Sequence, residues 1–277
     1  MKGLQKIAML VLGLAFFATS CQKENVGPDG TKPEAGTFKA YMTDSPGDFE
    51  ALNIEILRVE AFIEGEGWVT LNSNARSVNV LSLTNGVQTE LTAAAESEAK
   101  AGAYTKLRIV FGSNNHITIS NQAALALSEI TGNLVATFSL HFKGEREVVI
   151  EIDEKVNSRV GAAVLLDFNV AQSVHQYADS FVIDPILTVI EDARTGVRGH
   201  VEGAASAAVT LNNHSGSFST YINAEGDFLL RGMEDGTYDL IVMPCGVVGQ
   251  LQDPQPKEVN GVIVTEGEIT SVGTISF

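Results

Sequence analysis

Apolar side chains recur at every second position through most of this chain of 277 residues. Between residues 134 and 142 every second side chain is apolar, and the side chains between them are polar except Val135. Segment 107–111 shows the same spacing around Arg108. This period puts alternate side chains on the same face of a strand, whereas an amphipathic helix repeats every three or four residues. The sequence therefore predicts an all-β fold of half-buried strands.

One of the predicted strands changes phase. Apolar residues occupy positions 54 and 56 and then positions 57, 59, 61 and 63, so the alternation slips between Ile56 and Leu57. One extra residue in a strand produces such a slip, which predicts a β-bulge. The turn at 65–67, with two glycines, predicts a hairpin with the strand that starts at Trp68. Helical spacing is confined to residues 88–100 and 121–129.

The alternating pattern is interrupted at residues 191–196, where charged residues and glycine replace it. Short strands separated by turn residues follow, and such spacing is typical of a small β-sandwich. We therefore predict two β-sandwich domains in tandem, over residues 37–192 and 196–277. In the second domain the predicted strands are 197–201, 208–211, 218–222, 228–230, 237–243, 259–264 and 269–277.

The first residues of the chain have the form of an export signal. An apolar run at 7–17 follows two lysines and leads into small residues and Cys21. A run of this length is too short to cross a bilayer, which needs about 20 residues, and its flanks are those of a secretory signal. Small residues directly before a cysteine resemble the bacterial lipobox. The resemblance implies cleavage after Ser20 and attachment of diacylglycerol to Cys21.

These features divide the N-terminal part of the chain into a lipoprotein signal peptide, residues 1–20, and a flexible tether, residues 21–36. The tether is rich in glycine, proline and charge, a composition that does not form a packed core. Its Gln22-Lys23-Glu24 stretch partly resembles a signal that directs lipoproteins to the cell surface. We expect an outer-membrane lipoprotein that faces either the periplasm or the exterior.

A motif just after the first predicted strand points to a family. The segment Thr43-Asp44-Ser45-Pro46-Gly47-Asp48-Phe49 resembles the opening of the lipoprotein family called domain of unknown function 4382. The resemblance extends over residues 36–190, and it implies a β-sandwich module of envelope lipoproteins without an activity to carry over. The further matching segments are Ala101-Gly102-Ala103-Tyr104, Leu107-Arg108-Ile109, Leu166-Asp167-Phe168 and Asp184-Pro185.

The second domain resembles another family. The order Gly199-x-Val201, Ala224-Glu225-Gly226-Asp227-Phe228 and Gly236-Thr237-Tyr238-x-Leu240 is similar to the carboxypeptidase regulatory-like domain. That resemblance implies a prealbumin-type sandwich, grouped with starch-binding sandwiches, and hence contact with carbohydrate. Such contact needs an exposed aromatic side chain. Tyr238 stands at a strand start where we expect burial, which leaves Tyr221 as the candidate glycan platform.

The turn within the first motif has two interpretations. Pro46 and Gly47 suit the second and third positions of a tight turn, and the Asp44 carboxylate can cap it. Alternatively, Asp44 and Asp48, with Asp167 and Asn169 from a distant strand, supply oxygen ligands for Ca²⁺. Both interpretations stay open at the level of sequence.

Charge and motif content bear on function. The formal net charge is −16, and loss of the signal removes two lysines and no acidic residue, giving −18. Nucleic acid is excluded as a partner because its binding relies on Lys and Arg. Once Cys21 is lipidated, Cys245 has no partner for a disulfide. No catalytic motif is present, so we predict a protein without enzyme activity or cofactor. We expect a binding or adhesion module for a glycan or an envelope protein, with a structural subunit of an envelope complex as the alternative.

Overall fold

The computed structural model describes residues 33–45, 49–93, 99–119, 135–177, 180–214, 216–244 and 255–277. Nearly all regular structure in these residues is β, which confirms the predicted fold class. Within the described part of the chain, no helix is long and apolar enough to cross a bilayer.

Thirteen strands form the first unit, which we call the N-terminal sandwich. They are β1 (Phe38–Ser45), β2 (Ala51–Ile63), β3 (Gly67–Asn72), β4 (Arg76–Asn79), β5 (Thr89–Glu90), β6 (Gly102–Phe111), β7 (His116–Ile119), β8 (Ala136–Phe142), β9 (Glu147–Val156), β10 (Ala162–Asn169), β11 (Val174–Tyr177), β12 (Ser180–Ile183) and β13 (Leu187–Ile190). A 3₁₀ turn at Val80–Leu83 and one helical turn, α1 (Val170–Ser173), complete it.

Two sheets enclose the core of the N-terminal sandwich. One has the order β13-β10-β1-β5, and the other has the order β11-β12-β8-β7-β2-β6-β9, with β3 and β4 also paired to β2. Every second residue of β1 from Phe38 to Met42 is buried, as the alternating pattern requires. The ring of Phe38 stacks on Tyr104 with 4.6 Å between the ring centroids, joining the two sheets. Strands β1 and β10 run parallel, although more than 100 residues separate them in sequence.

Seven strands form the second unit, the C-terminal sandwich, and each matches a strand predicted from the sequence. A three-stranded sheet, β17-β14-β20, faces a four-stranded sheet, β16-β15-β18-β19. Their side chains make a second hydrophobic core that shares no residue with the first. The strands are β14 (Gly196–Glu202), β15 (Ala207–Asn212), β16 (Ser217–Tyr221), β17 (Asp227–Arg231), β18 (Gly236–Pro244), β19 (Lys257–Val264) and β20 (Ile269–Ser276).

The local predictions within the N-terminal sandwich have mixed outcomes. The register of β2 against β6 shifts between Ile56 and Arg58, so the predicted bulge is confirmed. The hairpin of β2 and β3 is also confirmed. The predicted helix at 88–100 is wrong in its described part, because β5 pairs with β1 and the Leu91 N–H donates to the Ala40 carbonyl oxygen. The other predicted helix, at 121–129, lies outside the described residues.

Candidate functional site: the cleft between the sandwiches

A cavity of about 430 Å³ lies where the two sandwiches meet. The N-terminal sandwich contributes the ends of β1 and β10, strand β13 and the turn that precedes β5, and the C-terminal sandwich contributes β16 and β17. We call this cavity the cleft. Its volume is within the range of small-molecule sites, which are about 300–1,000 Å³. The cleft is therefore large enough for an organic ligand.

The turn at residues 84–87 brings the N-terminal sandwich against the C-terminal one. Asn85 and Gly86 both have positive φ, 59° and 76°, which makes this a sharp reversal of the chain. The Asn85 side-chain Nδ2 donates to the Asp227 carbonyl oxygen of β17 at 2.9 Å. A Cβ on Gly86 would lie 2.7 Å from Leu229 Cδ2, so only glycine allows this approach.

The base of this turn is fixed to β1. The Thr43 hydroxyl lies 2.8 Å from the carbonyl oxygens of both Leu83 and Val87 and donates to them. Thr43 is buried, and its hydroxyl is committed to these carbonyls. The position of the turn is thus set by the end of β1, beside the next residue, Asp44.

Asp44 is the unusual group in the cleft. It is 6 % exposed, and neither carboxylate oxygen has a hydrogen-bond partner among the described residues. Burial raises the pKa of Asp44 from its usual 3.8 to about 9, and the nearby Asp167 charge adds to the effect. At neutral pH without a ligand, the carboxyl of Asp44 therefore holds a proton.

The remaining lining of the cleft is mostly amides and hydroxyls, with one aromatic ring. The Asn169 side chain accepts a hydrogen bond from the Gln172 N–H and caps α1. Arg231 donates through Nη1 to the Ala193 carbonyl oxygen at 3.1 Å. The other residues of the lining that the argument uses are Gln88, Thr188, Ser217, Phe218 and Ser219.

Comparison with known proteins identifies the N-terminal sandwich. The family model described as domain of unknown function (DUF4382) matches residues 35–185, which is more than half of the chain. The chain belongs to this family. The predicted resemblance is thereby confirmed, and the matched range contains β1 to β12 of the DUF4382 domain. No curated protein matches the chain.

Solved structures resemble the chain only weakly. The shaft pilin SpaA from Lactobacillus rhamnosus GG is 8 % identical, with a TM-score of 0.21, and the match covers 87 % of this chain and 95 % of the pilin. An adhesin candidate from Bacteroides ovatus ATCC 8483 is also 8 % identical, with a TM-score of 0.20, over 88 % and 89 % of the two chains. Similarity this low supports no conclusion about function.

The DUF4382 domain brings several of the predicted site residues together. The parallel register sets Thr43 opposite Asp167 and Ser45 opposite Asn169, so Asp44, Asp167 and Asn169 all contribute to the cleft. The predicted capping bond from the Asp44 carboxylate is not found among the described residues. Its physical reason is the alternation of β1, which keeps Asp44 in the buried phase of Phe38, Ala40 and Met42.

Other predicted residues lie elsewhere or outside the description. Ser20, Cys21 and Asp48 are outside the described residues. No three His, Cys, Asp or Glu side chains form a metal-binding group in the described ranges, so the Ca²⁺ site stays a prediction. Tyr221 lies on β16 and is half-buried, next to the cleft residue Thr220. Tyr238 is buried, as expected, and its hydroxyl donates to the Glu234 carbonyl oxygen.

Sequence reasoning missed the turn that closes the cleft. The dipeptide Asn85-Gly86 is a strong turn signal, because both residues tolerate positive φ. It could therefore have been recognised as a turn from the sequence alone. Its contact with Asp227, 142 residues away, could not have been predicted from local pattern.

Proposed function

We propose that this protein is a lipid-anchored, non-enzymatic binding module of the bacterial outer membrane, whose ligand site is the cleft between its two sandwiches. The observation that carries the proposal is the buried Asp44 carboxyl, which has no hydrogen-bond partner among the described residues. Leaving such a group unsatisfied costs roughly 1–3 kcal/mol or more. A ligand that reaches Asp44 would supply the missing hydrogen bonds.

The cleft is suited to binding rather than to catalysis. The Thr43 hydroxyl is committed to two backbone carbonyls, and the Asn169 side chain caps α1. These groups are held in fixed positions, and they offer a rigid polar surface instead of a nucleophile activated by a neighbouring base. Rigid polar groups around an apolar patch are typical of sites that recognise a ligand by shape and hydrogen bonding.

A glycan is the ligand class that we favour for this site. Amides and hydroxyls from both sandwiches line the cleft, and Phe218 supplies an apolar surface. Sugars combine hydroxyl groups with an apolar ring face, so they complement such a lining. Tyr221 follows the cleft residues along β16 and is the candidate platform for a second sugar unit.

A blocking substitution tests the site. Ser217→Trp places a large ring in the cleft from an exposed position, and we expect it to lower affinity for a bound glycan by about tenfold or more. Ser206→Trp is the matched control, because Ser206 is exposed on the same sandwich and does not line the cleft. The measurement is a glycan array, followed by titration of the glycans that bind. Equal binding by wild type and Ser217→Trp would place the ligand elsewhere, and binding to no glycan would reject this ligand class.

The membrane anchor is tested separately. Each buried CH2 of an acyl chain contributes about 0.8 kcal/mol, so two or more chains on Cys21 hold the protein stably on a membrane. Cys21→Ser is therefore expected to move the protein from the membrane fraction to the soluble fraction, as measured by fractionation and by mass spectrometry of the N-terminal peptide. A Cys21→Ser protein that stays with the membrane would contradict the anchor.

A structural subunit is the alternative function, and the edge strand β19 is the observation that bears on it. Ile263 on this edge is 67 % exposed, and exposed edges can pair with another chain. However, the register of β18 against β19 shifts, and the Gly261 N–H donates to the Asp239 carboxylate rather than to a strand. Such irregularity protects an edge from pairing, which favours the binding function over the structural one.

A further inference from the structure

Three buried oxygen atoms of the cleft lack a hydrogen-bond donor among the described residues. They are Oδ1 and Oδ2 of Asp44 and Oδ1 of Asn85. Asp44 stands at the end of β1 and Asn85 in the turn that contacts β17, so the atoms come from separate parts of the chain. Native proteins rarely bury polar atoms without partners. Three in one cavity, all acceptors when Asp44 is ionised, indicate a ligand that brings donors.

The charges around these oxygens favour a positive ligand. Asp167 lines the same cleft as Asp44. A second cavity shares Val189 and Gly232 with the cleft, and its lining is strongly acidic. Arg231 is the cation of the cleft among the described lining residues, and one of its nitrogens is engaged by the Ala193 carbonyl. The acidic residues of the second cavity are Glu191, Asp192, Glu234, Asp235 and Glu266.

We propose that the cleft binds a primary ammonium group, with the carboxylate of Asp44 and the side-chain carbonyl of Asn85 as its acceptors. An ammonium group has three N–H donors and no acceptor, which matches three oxygens without donors. The inference rests on the proposed function, because it names the chemistry that the same cleft recognises. The group can belong to a small amine, such as an amino sugar, or to a lysine side chain of a partner protein.

A metal ion fits this set of atoms less well. Ca²⁺ takes six to eight oxygen ligands. The described residues contain no group of three acidic, histidine or cysteine side chains that could hold a metal. The cleft of about 430 Å³ also far exceeds the space of a single ion, whereas it accommodates an organic cation.

The test measures binding of amines to the full-length protein by calorimetry. The probes are n-butylammonium, glucosamine and a capped Gly-Lys-Gly peptide, with 1-butanol, N-acetylglucosamine and a capped Gly-norleucine-Gly peptide as their uncharged counterparts. We expect at least one charged probe to bind and its counterpart to bind about tenfold more weakly or not at all. Binding of a small amine identifies a free amine as the ligand, and binding of the lysine peptide alone identifies a partner protein.

Two variants connect the binding to the cleft. Asp44→Asn removes the charged acceptor and is expected to weaken binding of the charged probe by about tenfold or more. Asp153→Asn removes the same charge from an exposed position on β9 outside the cleft, and it should bind as wild type does. Circular dichroism establishes that each variant is folded.

The inference is overturned if no charged probe binds, if Asp44→Asn binds as tightly as wild type, or if Ca²⁺ binds in preference to every amine. Failure of the proposed function is distinguishable from these results. If Ser217→Trp abolishes glycan binding while no amine binds, the cleft is the ligand site and only the ammonium chemistry is wrong. If neither a glycan nor an amine binds, both proposals fail.

Discussion

Replacement of Asp44 by Asn is expected to stabilise the protein at pH 8 and to make its stability less dependent on pH. Burial, together with the Asp167 charge, raises the pKa of Asp44 from 3.8 to about 9 in the folded protein. Between these values the unfolded chain releases the proton and the folded protein keeps it. The free energy of unfolding therefore falls as pH rises, by about 1.4 kcal/mol per pH unit.

Asparagine has the shape of the protonated carboxyl group and does not titrate. The difference in unfolding free energy between Asp44→Asn and wild type should thus grow by about 4 kcal/mol from pH 5 to pH 8. Urea denaturation at both pH values measures it, and fluorescence of Trp68, the sole tryptophan, reports on the N-terminal sandwich. Asp153→Asn is the control and should follow wild type. Parallel curves for Asp44→Asn and wild type would show that Asp44 is ionised and stabilised in the folded protein.

Replacement of Gly196 by Ala is expected to unfold the C-terminal sandwich while the N-terminal core persists. Gly196 begins β14, the central strand of its sheet, and pairs with both Arg231 and Ile269. A Cβ at this position would overlap the Leu230 carbonyl oxygen and would lie 3.0 Å from the carbonyl carbon. Because the obstacle is paired backbone, we expect a loss of about 3 kcal/mol or more, a large share of the stability of a small domain.

The two cores share no residue, so the effects on the sandwiches should separate. Limited proteolysis is expected to cleave the C-terminal sandwich of Gly196→Ala, with Trp68 fluorescence unchanged. Gly216→Ala is the matched control in the same sandwich, because its Cβ meets only Phe218 at 4.0 Å. Resistance of Gly196→Ala to protease at wild-type levels would show that β14 shifts to accept the methyl group. Simultaneous loss of both sandwiches would show that they are not independent.

Local features of the fold were accessible to sequence reasoning. The bulge in β2 follows from the slip at Ile56, and the hairpin follows from the glycines at 65 and 67. The seven strands of the C-terminal sandwich follow from alternation and turn residues. The helix expected at 88–100 failed, because β5 and Leu91 hydrogen-bond to β1, about 50 residues earlier in the chain. Pairing with a distant strand overrides a weak local helical pattern.

What the sequence by itself determined was the kind of structure, its family motif and the membership of Asp44 in a candidate site, because period, turn residues and motif are properties of neighbouring residues. What only the tertiary structure decided was the site itself. Parallel pairing of β1 with β10 brings Asp44 beside Asp167, and the turn at Asn85 reaches β17 of the other sandwich. The burial that leaves the Asp44 carboxyl without a partner is also a tertiary property, since it depends on every strand packed around it.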